Sequence, residues 1–297
     1  MEAARPEQQQ QQQQDQQQQQ PPPLAQDGPG DAATGTGVPA APPRAGRAPP
    51  ADPAIAILHR DAHFIAIDKP ADVRIDGDHE HTAAKLLAAA APQHAAELRH
   101  CHQLDYATSG VMCYALSRQA ASAAGWLFEQ RKTRKVYLAL VEGHLAAETL
   151  GCALPIAADP AHEFKMMAGT AEVPGRAAET RVVRLAVGSY RGRPVSKVEL
   201  HPSTGRRHQL RIHCLALGHP IVGDATYTDD TDSPRMMLHA WKLALPISLV
   251  PPKKLRARPA KRPRDGGEEA PRPGSDIPPT DLAFSSADPF EELMAPA

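Results

Sequence analysis

The sequence predicts an α+β fold built on one central domain, and three observations carry that prediction. Short apolar runs of strand length outnumber amphipathic helical stretches between residues 54 and 250. Strands and helices follow one another without the regular alternation of a βαβ repeat. Both ends of the 297-residue chain are too poor in apolar side chains to extend a core.

The two ends are set aside first. Residues 1–53 hold the glutamine runs Gln8–Gln14 and Gln16–Gln20, then Pro21-Pro22-Pro23 and a Gly/Ala/Pro mixture. Such a segment has little to bury against its ordering entropy, so it is expected to be disordered. Residues 251–297 are rich in Pro, Arg and Asp/Glu, and the same expectation applies. Residues 54–250 remain as one domain, large enough for a well-formed core.

Within it, Ile55–Leu58 and Phe64–Ile67 read as short strands bent at His59–Ala62. Asp68-Lys69-Pro70 ends the second, since proline cannot continue a ladder. Thr82 to Ala91 is Ala/Leu-rich and helical, stopped by Pro92. Gly110–Leu116 is a buried strand, and Ser117 caps a helix running to about Gln130. Val136–Val141 is a strand ended by Gly143, and residues 146–179 lack steady periodicity and read as an extended excursion. Thr180–Val187 and Val195–Leu200 form a hairpin around Gly188–Pro194. Arg207–Leu217 repeats apolar residues at Leu210, Cys214 and Leu217 and closes on Gly218, a helix with its C-terminal glycine. Met236–Leu245 supplies a last strand.

Charge is informative only locally. The first fifty residues carry three basic and five acidic side chains, and the tail after Val250 is balanced, which leaves the core near neutral. Arg176 to Arg211 nevertheless contains nine basic residues opposed only by Glu179 and Glu199, and Arg131-Lys132-Thr133-Arg134-Lys135 forms a second knot. Clusters of this kind on a neutral domain fit a polyanion-binding face, and a solvated, salt-bridged surface fits equally well. Cys101, Cys113, Cys152 and Cys214 show no CxxC spacing, which argues for a reducing compartment and against disulfides or structural zinc. All fourteen histidines lie in the core, yet no HExxH occurs, so no metal is expected. No apolar stretch reaches the roughly twenty residues of a membrane span. Seven basic residues within Lys253–Arg264 read as a nuclear import signal or, equally, as sequence-blind RNA contacts, with a solvated linker as the third reading; a nuclear pool is expected, with cytoplasm as the alternative.

Two stretches carry the chemistry. In His102-Gln103-Leu104-Asp105-Tyr106-Ala107-Thr108-Ser109-Gly110 one carboxylate stands at the entrance of a buried strand, placed by the sheet yet accessible. Taken alone, the stretch reads first as an Asx-turn in which Asp105 caps Thr108-Ser109-Gly110, ahead of a catalytic carboxylate. The second stretch runs from Thr204 through Gly205-Arg206-Arg207-His208-Gln209-Leu210-Arg211-Ile212-His213 to Gly218-His219-Pro220-Ile221-Val222-Gly223-Asp224. An arginine partly buried on that helix needs an acid partner, and Asp105 is the candidate. A guanidinium beside it would keep the aspartate ionised, as a nucleophile with no adjacent general base requires.

Together these residues resemble the RluA-type family of RNA pseudouridine synthases, and within it the eukaryotic RNA pseudouridylate synthase domain-containing branch. His102 to Gly110 matches a His-Arg-Leu-Asp-x-x-Thr-Ser-Gly pattern, and Lys135-Val136-Tyr137 a Lys-x-Tyr strand. Gly205 to His213 with Gly218 to Tyr227, the late Leu238-His239-Ala240, and the early Asp68-Lys69-Pro70 complete the likeness over about residues 55–247. The resemblance implies a central mixed, mainly antiparallel sheet with an active-site cleft, working as a monomer without cofactor on rRNA, tRNA or mRNA. It implies that the C1′–N1 bond of a uridine is broken, the base rotated, and C5 joined to the sugar. Asp105 would be the nucleophile, Tyr137 would stack on the extruded uracil, and Arg211 would hold Asp105. His102, Gln103, Thr108, Lys135, Arg206, Arg207 and His208 would bind substrate.

Gln103 stands where the family usually has arginine, and glutamine brings neither charge nor a planar cation to stack. A non-catalytic RNA-binding protein retaining the fold is therefore the alternative. A zinc nucleobase deaminase is not, because His-x-Glu with Pro-Cys-x-x-Cys is missing.

Overall fold

Residues 48–228, 230–256 and 276–296 are described by the computed structural model; the expectations for the glutamine-rich segment and for 257–275 lie outside them. Among the described residues, thirteen strands form in chain order: β1 (Ala56–Arg60), β2 (Phe64–Lys69), β3 (Arg99–His100), β4 (Ser109–Ala115), β5 (Arg134–Glu142), β6 (Thr149–Cys152), β7 (Ile156–Ala158), β8 (Met166–Ala168), β9 (Thr180–Tyr190), β10 (Arg193–Pro202), β11 (Leu238–Leu245), β12 (Leu282–Ser285) and β13 (Ala295–Pro296). The α-helices are α1 (Ala83–Ala90), α2 (Arg118–Glu129), α3 (Gln209–Ala216) and α4 (Pro252–Leu255). The main sheet runs β1-β2-β4-β11-β5-β10-β9-β13, with β3, β12 and β6 attached to β4, β11 and β9. Every pairing in it is antiparallel except β4 with β11, so the sheet is mixed and mainly antiparallel.

The two-residue period of a strand sorts its side chains onto opposite faces. Phe64, Ala66, Val111, Cys113 and Ala115 face one way and pack under Ala120, Ala123, Ala124 and Leu127 of α2. Ile65, Ile67, Met112 and Tyr114 face the other way and meet Ala83 and Leu87 of α1. Both helices start on hydroxyl caps, of which the sequence predicts the second: Thr82 Oγ1 accepts from the Lys85 amide and Ser117 Oγ from the Ala120 amide. Further along the sheet, Leu210 and Cys214 of α3 pack onto Ala139 and Val141 of β5 and Val198 and Leu200 of β10. Helix α3 begins later than its apolar stripe predicts, because His208 before it adopts a left-handed conformation (φ 55°). The aperiodic excursion contains β6, which pairs with β9, and the β7–β8 hairpin.

The predicted carboxy-terminal tail needs correction. Residues 276–296 return to the domain: β12 pairs with β11, β13 with β9, and Ile277, Phe284 and Phe290 are buried. The domain therefore does not end at Val250. Its last contributors are three apolar residues in a proline- and charge-rich stretch, too sparse to give a periodic signal.

The parallel β4–β11 junction sets the position of the cleft. His239 lies opposite Ser109 and Ala240 opposite Gly110. Gly110 has φ +112°, and a Cβ there would lie 2.2 Å from the Ala240 carbonyl oxygen. Glycine is required on both counts. Gly110→Ala should lower unfolding free energy by at least about 2 kcal/mol, from left-handed strain plus forced separation of the strands. Urea denaturation checks this, and an unchanged midpoint would contradict the close approach.

Candidate active site

Asp105 sits between β3 and β4 on a turn closed by its own backbone, the Thr108 amide donating to the Asp105 carbonyl at 3.1 Å. The carboxylate is not spent on closing that turn, so the Asx-turn reading does not describe it, and its side chain is 25 % exposed. Beneath the turn, the buried Lys69 ammonium donates to the carbonyls of Pro70 (2.8 Å), Val73 (2.7 Å) and Tyr106 (3.1 Å). Burial pushes this ammonium down to about 7 against the pull of Asp72. Lys69 thus ties the residue after Asp105 to the end of β2.

Arg211 is buried on α3, and its fork closes on Asp224: Nε to Oδ2 at 2.7 Å and Nη2 to Oδ1 at 2.5 Å. The third nitrogen, Nη1, lies 3.6 Å from Asp105 Oδ2. Burial opposes the charge, but the bonds to Asp224 outweigh it and raise the guanidinium above its ordinary value. Asp224 is placed by Gly223, whose φ is +77° and whose added Cβ would lie 2.1 Å from the Arg235 carbonyl oxygen.

The Tyr227 ring lies 4.7 Å from the Arg211 guanidinium carbon, within cation–π range. Its hydroxyl accepts the Met166 amide at 2.9 Å and meets His208 Nδ1 at 2.6 Å. Burial pushes His208 down to about 4, so the ring is neutral near pH 7. The other ring nitrogen, Nε2, faces Asp105 Oδ1 at 4.0 Å. Tyr137 stands half-buried on β5 between Ala240 and Leu200. Burial and then the Asp105 charge raise its phenol. Two residues earlier, the Lys135 ammonium donates to the Thr204 carbonyl at 3.1 Å and burial lowers it to about 8.

A family model described as RNA pseudouridylate synthase matches residues 63–216, just over half of the chain. The chain belongs to the RNA pseudouridylate synthase family. Among its relatives, RNA pseudouridylate synthase domain-containing protein 1 of Danio rerio is 40 % identical over 211 residues, covering 66 % of this chain and 72 % of that one. Dual-specificity RNA pseudouridine synthase RluA of Escherichia coli (strain K12) is 33 % identical over 205 residues, covering 66 % and 89 %. The solved structure of human RNA pseudouridylate synthase domain containing 1 superposes with a TM-score of 0.59 at 40 % identity, over 65 % of this chain and 78 % of that one. The synthase is thus of the RluA type and falls with the eukaryotic branch.

Within this synthase the expected site residues separate into two groups. Asp105, Arg211 and His208 come together, and the Asp105 charge acts on Tyr137. Arg207 is exposed at the same rim, 5.9 Å from the Phe164 ring, and Gln103 is exposed on the Asp105 loop. Arg206 is half-buried, and its Nε donates to the Ala177 carbonyl at 3.1 Å. Thr108 and His102 face inward. Thr108 is 2 % exposed. His102 Nε2 takes the Cys113 amide at 3.1 Å and its ring stacks on Phe128, so it fastens the loop to β4 and α2.

Asp224, the main partner of Arg211, escaped the sequence reading, which assigned that place to Asp105. The rigid Gly223-Asp224 pair at the end of the second motif was the available signal. Among the described residues no group of three or more His, Cys, Asp or Glu is placed to hold a metal, and no helix is long and apolar enough to cross a membrane.

Proposed function

We propose that Asp105 is the nucleophile with which this RNA pseudouridine synthase, an isomerase, turns uridine in RNA into pseudouridine. The observation that carries this reading is the accessible Asp105 carboxylate 3.6 Å from the buried Arg211 guanidinium, with a neutral imidazole opposite. A fixed cation keeps a carboxylate charged and oriented without acting as a base toward it. Asp105 adds to the sugar C1′ or to the base as the C1′–N1 bond breaks. The base turns, C5 bonds to C1′, the bond to Asp105 breaks and returns its electron pair to the carboxylate, the C5 proton leaves, and N1 ends protonated. Tyr137 is placed to stack on a base taken out of its helix. A fold retained without turnover is not favoured by the family relationship.

The RNA backbone runs, in this reading, past Arg131, Arg176 and Arg206. Burial lowers Arg206 first, and then Arg176 and Arg131, which come from the two separate basic stretches. Cations gathered from distant parts of the chain suit a run of phosphates. A nuclear pool is proposed from the basic run that starts at Lys253.

Asp105→Asn should abolish tritium release from [5-³H]uridine-labelled RNA while RNA binding persists, since asparagine keeps the shape and loses the nucleophile. Turnover near the wild-type rate would overturn the assignment. For the nuclear pool, the variant to image lacks 257–275 alone, because a cut after Val250 would also remove β12 and Phe290 from the fold. Unchanged nuclear signal would refute import through that segment.

A further inference from the structure

The segment after residue 275 does more than cover the sheet. Ser286 accepts at 2.6 Å from the ring nitrogen Nε2 of His239, and His239 Nδ1 lies 2.7 Å from Ser109 Oγ. Arg235 Nη2 also bonds Ser109 Oγ. All three members of the chain Ser109, His239 and Ser286 are buried, at 3 %, 2 % and 9 % exposed.

A guanidinium can only donate, so Ser109 Oγ accepts from Arg235 and keeps its own proton for His239 Nδ1. In that arrangement the imidazole proton sits on Nε2, on the side of Ser286 Oγ and the Ala287 backbone. Burial, reinforced by the Arg235 charge, pushes His239 down to about 4, so the ring is neutral as that arrangement requires. A buried chain whose polar groups are all bonded restricts its own geometry.

Both ends of the chain are anchored. At the far end, the Ser286 amide donates to the Trp241 carbonyl at 3.1 Å, Asp288 pairs with Lys197, and the buried Phe290 ring meets His239 edge-on at 6.3 Å. At the near end Ser109 opens β4, four residues after Asp105, at the single parallel junction of the sheet. Ser109 follows directly on Thr108, whose amide closes the Asp105 turn. Lys69 holds the turn from the β2 side, and the Ser109 chain holds it from the β11 side.

We propose that Ser286 and His239 are positioning residues for the synthase reaction: residues 282–290 form a clasp that fixes the Asp105 turn through Ser109. They touch no reacting atom and act through the placement of the nucleophile. The proposal rests on Asp105 being that nucleophile. A displacement near 1 Å at a reacting group costs up to about a hundredfold in rate, so a loosened clasp is read in kcat.

The test uses full-length protein and [5-³H]uridine-labelled RNA from cells lacking it. Ser286→Ala should lower kcat by about tenfold with KM within about twofold. Loss of one hydrogen bond moves the melting temperature by only about 2–4 °C, so the variant stays folded. Ser286→Thr restores the hydroxyl and should recover most of kcat. Ser109→Ala breaks the same chain, so the double variant should be no worse than the worse single one. Hydrogen exchange at the Thr108 amide gives a readout free of any assumption about the reaction, and Ser286→Ala should speed it by about tenfold. An unchanged kcat in Ser286→Ala, additive losses in the double variant, or unchanged Thr108 exchange would each overturn the clasp. If wild-type protein released no tritium, the reading of the enzyme would fail, and Thr108 exchange would still decide whether the segment holds the turn.

Discussion

A buried guanidinium must be matched, and the site is organised around how Arg211 is matched. Removing one partner of such a pair typically costs about 3–5 kcal/mol, because the other charge is left stranded out of water. Asp224 takes two of the three nitrogens in the planar arrangement that suits a carboxylate. The third is left facing Asp105. Asp105 therefore gains a fixed positive neighbour without being neutralised by a two-point contact, and part of it stays open to solvent. Other features follow from the same constraint. Gly223 supplies the turn that delivers Asp224, Tyr227 covers the guanidinium face, and the Tyr227 hydroxyl holds the His208 ring beside Asp105.

The sheet supplies the second half of the site by periodicity and by one exceptional junction. Tyr137 shares a face of β5 with Ala139 and Val141, and that is the face on which α3 packs. Asp105 reaches the same cleft because β4 enters the sheet parallel to β11 at Gly110, where the two backbones touch. The turn before that junction carries a nucleophile in this account, and it is gripped by a buried ammonium on one side and a buried hydroxyl–imidazole chain on the other. Polar groups that deep are costly unless fully bonded, and here each bonded donor also restricts where the turn can move.

Much of this was legible in the sequence, for identifiable reasons. The Ala/Leu-rich run before Pro92 announced α1, Ser117 announced α2, and the run Gly110–Leu116 announced a buried strand. The Leu210, Cys214 stripe placed α3 on the core, but nothing in it showed that His208 would turn left-handed and delay the helix. Arg211 was rightly seen to need an acid. Sequence alone could not choose between Asp105 and Asp224, because the choice depends on the Gly223 turn and its contact with Arg235. Thr108 and His102 sit in the right motif yet face inward, an orientation set by β4 and α2. The returning segment was missed because Phe284 and Phe290 work as single anchors and not as part of a periodic face.

The most direct test of the central claim is the turnover of Asp224→Asn at saturating RNA, at a temperature where denaturation shows the variant folded. Asparagine keeps the volume and one acceptor but cannot take the fork as a charged pair. The account predicts a fall in kcat of at least about a hundredfold, roughly 2.7 kcal/mol in barrier, with RNA affinity close to wild type. A folded variant that is less stable but turns over at the wild-type rate would show that Asp224 serves the fold alone and that its grip on Arg211 does not prepare Asp105.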